Sequence, residues 1–548
     1  LEGLADFEAA GDQALARAVS KVGRLLRPLE AAPAPRLELG GLLADNMRAA
    51  SRGNPDIARC DDMLASVSRS VAAVVRQLPP GLCLDVCVLC LALCALCTVE
   101  GDTERYRGRE HAKETELRDF CDQLFTDDDR GIHSIGAGNE AALLRNFGAV
   151  SRIYKTLPEG SRGVIWDTVN KVGAGMAEHA TADLGQGTVD QASYDRYCHM
   201  TAGSVGEGFT RLFVARGVEA DAIMASGERV WPFCADAAKE CADLGLAHSS
   251  SLFLQKASAI RDYLEDYVGG QAVWPQSVWR KHAKTSDLGE FARPTAHGAG
   301  RWAPLEGAGG EVAGRGAGEQ ALVCLNELVA DALELVPDSL EYLGRLRDPA
   351  VHRFCAIPQI MAMATLARCF NNPRLFTGAV EVRRSLAARL VIAAVDGPCV
   401  VNWWFGKMAR ELAESVRKGT CAGASGPIGA RVAAACARVE NATAQARGAS
   451  RARHARGAGR LVLVAVLLLR GLLASSSWVR RRPRTPGVPR GARPGIGAAP
   501  QQTPTRRLPH GRAARAVVRE AARRRARGSG QGAAAGRALG HGLWAARF

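Results

Sequence analysis

The stretch Leu254-Gln255-Lys256-Ala257-Ser258-Ala259-Ile260-Arg261-Asp262-Tyr263-Leu264-Glu265-Asp266 has helical apolar spacing and sets two aspartates four residues apart. Four residues is about one helical turn, so Asp262 and Asp266 project from one face, one above the other. Ser258 lies a turn earlier on that face, and Gln255 about another turn back. Such a carboxylate pair suits a hard, oxygen-preferring cation such as Mg²⁺ that also holds phosphate groups. Arg261 beside it offers a planar fork for a phosphate oxygen. Taken alone, D-x-x-x-D fits a solvated acidic helix face equally well.

Working outward, helical periodicity dominates and alternating strands are absent. The pattern predicts helices over 60–78, 82–99, 137–157, 162–181, 191–214, 245–268, 317–336, 338–346, 354–370 and 377–396, separated by Gly/Pro-rich breaks. The fold class expected is therefore all-α. The 548 residues are 47% apolar and 23% charged, a globular composition. The net charge of +15 is a property of the C-terminus: residues 441–548 hold 23 of the 71 basic residues and only Glu520 among the acidic ones. That leaves the rest of the chain net negative. The reading divides the chain into an N-terminal extension (1–54), an all-α domain (55–396, with a Gly-rich insertion near 295–317), terminal helices and an Ala/Gly/Arg linker (397–460), an anchor candidate (461–479) and an Arg-rich tail (480–548).

The tail is poor in aromatics and expected to be disordered. Its arginines would attract anionic lipid headgroups or RNA. The weight goes to an extension without a selected role, and no specific nucleic-acid binding is expected. Residues 461–479 give 19 residues between Arg460 and Arg480, near the lower limit for a membrane span and with Arg470 in the middle. The opening residues lack the sustained apolar core of a signal peptide.

Cysteines at 83, 87, 90, 94 and 97 fall within about 80° of one helix face, at about 100° per residue. Two C-x-x-C pairs raise a thiolate metal site. Against that, the run is apolar throughout and no His or distant C-x-x-C completes a ligand set. Buried small residues are the favoured reading.

The words around the aspartate stretch add a resemblance. Ser66-Val67-Ser68-Arg69-Ser70, Tyr194-Asp195-Arg196-Tyr197-Cys198-His199-Met200-Thr201-Ala202-Gly203 with Gly208-Phe209-Thr210-Arg211-Leu212-Phe213, the Asp262/Asp266 stretch, and Phe354-Cys355-Ala356-Ile357-Pro358-Gln359 with Cys369-Phe370-Asn371-Asn372-Pro373 occur in the order found in squalene synthases. The chain resembles that branch of the squalene/phytoene synthase family over roughly residues 55–395. Phytoene synthases fit less well, since they lack the F-C-A-I-P-Q block.

The resemblance implies the isoprenoid-synthase fold, with helices around a central cavity. It also implies head-to-head joining of two farnesyl diphosphates through presqualene diphosphate, with NADPH reduction to squalene. By the same resemblance, Asp262, Asp266 and Glu100 would bind Mg²⁺. Arg69, Arg261 and Arg383 would meet diphosphate or NADPH phosphate, although Glu381 stands where a lysine is usual two residues before Arg383. Tyr197 would take the proton that closes the cyclopropane, with Arg69 beside the reacting diphosphate. Gln255, Phe354, Cys355 and Pro358 would line the substrate pocket. His199 reads as structural. The resemblance further implies a monomer with a cytosolic catalytic domain and a C-terminal anchor in the endoplasmic reticulum membrane.

One block departs from the family. Where its first aspartate-rich motif reads R-A-L-D-T-V-E-D-D, this chain has Cys94-Ala95-Leu96-Cys97-Thr98-Val99-Glu100-Gly101-Asp102. Cys94 replaces an arginine, and Cys97 and Gly101 replace aspartates. Asp102 lies about 140° round the helix from Cys97, and a neutral thiol is a poor Mg²⁺ ligand. A sequence error, a degraded paralogue and a divergent synthase all accommodate the change. The expectations are thus an active synthase or an impaired homologue that binds prenyl diphosphate or acts as a membrane-associated partner.

Overall fold

A run of apolar residues on every side of a helix must be surrounded by protein, and Pro80–Gly101 is such a run. Pro80 suits the first turn, where its missing N–H costs nothing. From Leu82 to Glu100 every residue but Leu84 is buried. Its lone charge in the first turns, Asp85, is fully buried and held by Arg216 (Nε–Oδ2 and Nη2–Oδ1 2.5 Å) and by the Ser161 hydroxyl (2.6 Å). This is the cysteine helix, and Pro55–Val67, Arg69–Arg76, Glu110–Arg118, Gly138–Arg145, Phe147–Thr156, Glu159–Ala180 and Ser204–Ala215 pack around it.

The computed structural model describes residues 45–102, 105–125, 135–180, 182, 184–224, 245–292 and 315–446. Among them the long elements are all helices and no strand occurs. Glu159–Ala180, Gln191–Cys198 with Ser204–Ala215, Gly245–Arg261, Arg315–Leu333 and Pro349–Cys369 are the principal ones. Pro80–Gly101 and Pro349–Cys369 are long and apolar enough to cross a membrane, but both are largely buried within the protein. Of the insertion expected near 295–317, residues 295–314 lie outside the described residues, as do the anchor candidate and the tail, while 315–317 open the helix Arg315–Leu333.

Helix interruptions mark the joints. The helix expected over 60–78 is broken at Ser68, whose extended backbone (φ −147°, ψ 104°) ends Pro55–Val67 and whose hydroxyl accepts from Val71 N at 3.4 Å, starting Arg69–Arg76. Serine favours that N-cap role over a helix interior. The helix expected over 245–268 has a joint at Asp262 (φ −91°, ψ 8°) between Gly245–Arg261 and Tyr263–Val268. Its i→i−4 bonds nevertheless run through, from Asp262 N to Ser258 O and from Asp266 N to Asp262 O, both 2.9 Å. The helix expected over 191–214 contains a π-helical turn at His199–Gly203.

Both ends of the folded part extend beyond the expected boundaries. Met47 is fully buried, and Asn46 bonds to the carbonyls of Arg76 (2.8 Å) and Leu78 (2.9 Å). Residues 427–446, read as linker, form a helix that buries Val432, Ala435, Cys436 and Val439. Arg431 ties it to Glu334 (2.9 Å).

Removing Arg216 would leave the Asp85 carboxylate buried without its cation. Arg216→Met is expected to destabilise the protein by about 3 kcal/mol, and the double change with Asp85→Leu to restore part of that loss. Urea unfolding monitored by circular dichroism reads both.

Candidate active site

Three helices carry the residues singled out in the sequence. The cysteine helix brings Cys94, Cys97 and Glu100, all buried. The segment Gln191–Gly203 brings Tyr197, and Gly245–Val268 brings Gln255, Ser258, Asp262 and Asp266.

Tyr197 joins them. Its ring is 2% exposed and stands edge-on to His179, with centroids 5.1 Å apart. Burial pushes its phenol well above the usual tyrosine range. The charges of Glu100 and Asp266 add to that, followed by Cys198 and Cys97. The hydroxyl therefore stands within electrostatic reach of both carboxylate-bearing helices and stays protonated.

Tyr197 is held in place from behind. Lys256, only 3% exposed, bonds Asp195 Oδ1 and Asp331 Oδ2, each at 2.6 Å, and lies over the Tyr194 ring at 5.3 Å. Burial alone would push this lysine down, but Asp331 and Asp195 hold its ammonium above the ordinary range. Gln191 bridges the same two aspartates at 3.1 and 3.3 Å. Ser204–Ala215, the helix that continues the tyrosine segment, also approaches the aspartate helix closely. A Cβ on Gly206 would lie 1.9 Å from Ser251 Oγ and 2.9 Å from the Ala247 carbonyl, so glycine is needed there.

At the π-turn His199 Nδ1 meets His248 Nε2 at 2.6 Å. Burial lowers both imidazoles, His199 to about 4 and His248 well below its ordinary value.

On the aspartate side, Arg261 grips Asp262 bidentately (Nε–Oδ1 and Nη2–Oδ2, both 2.8 Å), and Asp266 is 4% exposed. The charges of Asp262 and Asp266 both act on Arg261. An aromatic cluster seats this helix: Tyr263 packs on Trp274 (4.5 Å) and Phe376 (5.4 Å), and Trp274 Nε1 donates to the Ala259 carbonyl at 3.0 Å. Gly187, at φ +84°, gives the Trp274 carbonyl room that a side chain would fill.

On the cysteine side, Cys94 and Cys97 are each 6% exposed. Burial pushes the Cys94 thiol up to about 12, and the Cys87 and Cys90 thiols rise well above the usual range for the same reason. Asp102 lies past the helix end, where its oxygens accept from Arg105 N (3.0 Å) and Gly136 N (3.1 Å). It closes a loop. Lys113, 6% exposed, is lowered by burial against the opposing pull of Glu100, Asp102 and Glu110.

The remaining residues are more dispersed. Phe354 packs edge-on against Phe209 (5.2 Å) and Phe213 (6.0 Å). Cys355 is half-buried and bonded to Tyr342, whose hydroxyl meets Thr210 Oγ1 at 2.8 Å. Pro358 is buried inside Pro349–Cys369. Arg69 and Arg383 are exposed, each at the start of a helix. The sequence reading missed His248, Lys113 and the Lys256–Asp195–Asp331 trio. A lysine inside the buried part of the aspartate stretch was the available signal for the trio.

The donor sets on the two sides differ. Carboxylate oxygens at Asp262 and Asp266 fit a hard divalent cation, whereas thiols and a glycine do not. Among the described residues no group of three His, Cys, Asp or Glu is arranged to hold a metal ion.

An all-helical shell that brings a buried tyrosine between helices bearing Glu100 and Asp266 defines a prenyltransferase-like site. A family model for squalene/phytoene synthases matches residues 64–388. Human squalene synthase is 36% identical over 341 residues, covering 62% of this chain and 70% of that protein. Squalene synthase LSS of Botryococcus braunii is 33% identical over 362 residues, covering 66% and 68% respectively. A solved complex of TcSQS, a squalene synthase, with the ligand BPH1237 superposes with a TM-score of 0.59 at 31% identity, covering 72% of this chain and 99% of that one. This chain belongs to the squalene/phytoene synthase family and has the isoprenoid-synthase fold.

The histidine pair predicts a pH dependence. Its members are neutral when folded, while the unfolded chain takes up protons near the ordinary value of 6.5. Stability is therefore complete above that value and falls as pH drops from 6.5 toward 4, by at most about 1.4 kcal/mol per pH unit for each histidine. Urea unfolding at stepped pH should show a shallower slope in His199→Gln. An unchanged slope would refute the assignment.

Proposed function

We propose that this chain binds farnesyl diphosphate as a squalene-synthase-type protein, and that its head-to-head condensation through presqualene diphosphate to squalene is impaired. The observation that carries the impairment is on the cysteine side. Cys94 and Cys97 occupy buried turns of the cysteine helix, Cys97 within electrostatic reach of Tyr197, and Asp102 is committed to the loop that follows.

The chemistry such a site serves is ionisation of an allylic diphosphate, whose leaving group gathers negative charge. Mg²⁺ held by Asp262 and Asp266 would neutralise that charge, and NADPH would supply hydride in the second half of the family reaction. The chain's own contribution begins with exclusion of water, since the resulting carbocation must not meet solvent. Burial of Tyr197, Phe354 and Pro358 serves that need. Arg261 can turn its fork from Asp262 to a diphosphate oxygen, while exposed Arg69 and Arg383 suit phosphates arriving from solvent. Tyr197, protonated at rest, relays a proton by taking one from carbon as it gives its own to a diphosphate oxygen.

Where the family motif has an arginine and four acidic positions, this chain keeps Glu100 on the cysteine helix and Asp102 just past its end. Losing one preorganised electrostatic contact costs about 3–4 kcal/mol of transition-state stabilisation. The active-synthase reading keeps its support in the intact tyrosine and aspartate segments. Membrane attachment at the endoplasmic reticulum, with a cytosolic catalytic domain, belongs to the same proposal and rests on residues 461–479.

The full chain, incubated with farnesyl diphosphate, Mg²⁺ and NADPH, is expected to form squalene at least about 10²-fold more slowly than the variant Cys94→Arg/Cys97→Asp/Gly101→Asp. Tyr197→Phe in that variant should abolish the gain. Robust turnover by the unaltered chain, unimproved by the triple change, would refute the impairment.

A further inference from the structure

We infer that Arg431, on the terminal helix 427–446, is a positioning residue for the Tyr197 phenol and acts through Asp331, Lys256 and Asp195. The inference rests on the reading of Tyr197 given above and adds what sets its place. The helix lies beyond residue 388, where the family match ends.

Asp331 faces two ways. Its Oδ2 accepts from Lys256 Nζ at 2.6 Å and from Gln191 Nε2 at 3.3 Å, while its Oδ1 accepts from Arg431 Nη2 at 3.4 Å. Glu334 seats the arginine for that contact, its Oε1 accepting from Arg431 Nε at 2.9 Å. Arg438, two turns further along the terminal helix, reaches the same Glu334 oxygen at 3.6 Å.

Lys256 is shared. Its buried ammonium also lies 2.6 Å from Asp195 Oδ1, and Gln191 Nε2 reaches that oxygen at 3.1 Å. An ammonium held between two carboxylates leans toward the one left with more uncompensated charge. With Arg431 against Asp331, the four groups Asp195, Asp331, Lys256 and Arg431 carry two charges of each sign. Without Arg431, Asp331 would draw Lys256 and Gln191 toward itself and away from Asp195. Burial pushes the Asp195 carboxyl up against the opposing charge of Lys256, so its hold depends on that ammonium.

Asp195 is the lever. It stands two residues before Tyr197 on Gln191–Cys198, about 200° round the helix, so it holds the back of the helix while the phenol takes the front. A small rotation about the helix axis, which the Asp195 contacts oppose, carries the hydroxyl farther than the backbone. Misplacing a reacting group by about 1 Å can cost about 10²-fold in rate. Tyr194, with the Lys256 ammonium 5.3 Å over its ring, shares the helix and reports the same movement.

The full chain carrying 3-fluorotyrosine has seven tyrosines to read by ¹⁹F NMR, and Tyr197→Phe and Tyr194→Phe identify two of the resonances. Arg431→Gln is expected to shift both and to leave those of Tyr154 and Tyr342 in place. Arg431→Lys should restore their positions, and Asp331→Asn, which removes the bridge from its other end, should reproduce the shift. Arg438→Gln, which loosens the same helix away from Asp331, should shift neither. An unmoved Tyr197 resonance in Arg431→Gln or Asp331→Asn would overturn the inference and leave the reading of Tyr197 standing, because no substrate enters the measurement. An equal shift in Arg438→Gln, or a shift of every tyrosine, would refute it by showing general loosening of the helix.

Discussion

The complete burial of the helix Pro80–Gly101 is the constraint on which the other elements depend, because a rod apolar on every side has to be enclosed before anything else can be positioned. Enclosure sets the terms for every polar group along it. Asp85 persists because Arg216 and Ser161 reach it. Toward the other end, a carboxylate facing the site is costly unless a cation answers it. Replacing aspartates there with Cys97 and Gly101 removes that cost and lets the helix pack as ordinary core. The substitutions proposed to weaken the chemistry are therefore the ones burial favours, a local form of the trade between stability and activity.

The facing helix resolves the same problem by internal pairing. Arg261 answers Asp262, and Lys256 answers Asp195 and Asp331. These pairs join the tyrosine segment, the aspartate helix and Arg315–Leu333 into one unit, to which Arg431 adds the terminal helix through Asp331 and Glu334. Asp195 lies two residues before Tyr197, so the trio behind the site also fixes the phenol in front of it. Gly206 allows Ser204–Ala215, which continues the tyrosine segment, to approach the aspartate helix at Ala247 and Ser251.

Much of this was legible in the sequence, and the exceptions have physical causes. Periodicity gives the helices, since the period survives a change at one residue. For the same reason it hides the joints at Ser68 and Asp262 and the π-turn at His199–Gly203. The Ser68 joint had a readable signal, a capping residue inside an expected helix. The helix at 427–446 was misread because Ala, Gly and Arg resemble a linker by composition, although Val432, Cys436, Val439 and Thr443 recur at helical spacing. The pairing of His199 with His248, 49 residues apart, leaves no local trace. That Tyr197 feels both Glu100 and Asp266 follows from the family resemblance and from no spacing in the chain.

The asymmetry of the two sides bears directly on Tyr197. A phenol raised by burial and by two carboxylates cannot serve as a resting base, because forming phenolate between Glu100 and Asp266 would add a third negative charge to a buried cluster. It can accept a proton from carbon only while passing its own to a nearby acceptor. Both carboxylates are candidates by position, but each is a weaker base than the phenolate it would relieve. A released diphosphate, brought in with its own counter-cation, can take the proton without leaving the cluster more negative. In the proposed reaction the tyrosine would therefore work only where a headgroup is held beside it, and Asp262 and Asp266 are the carboxylates proposed to hold one through Mg²⁺.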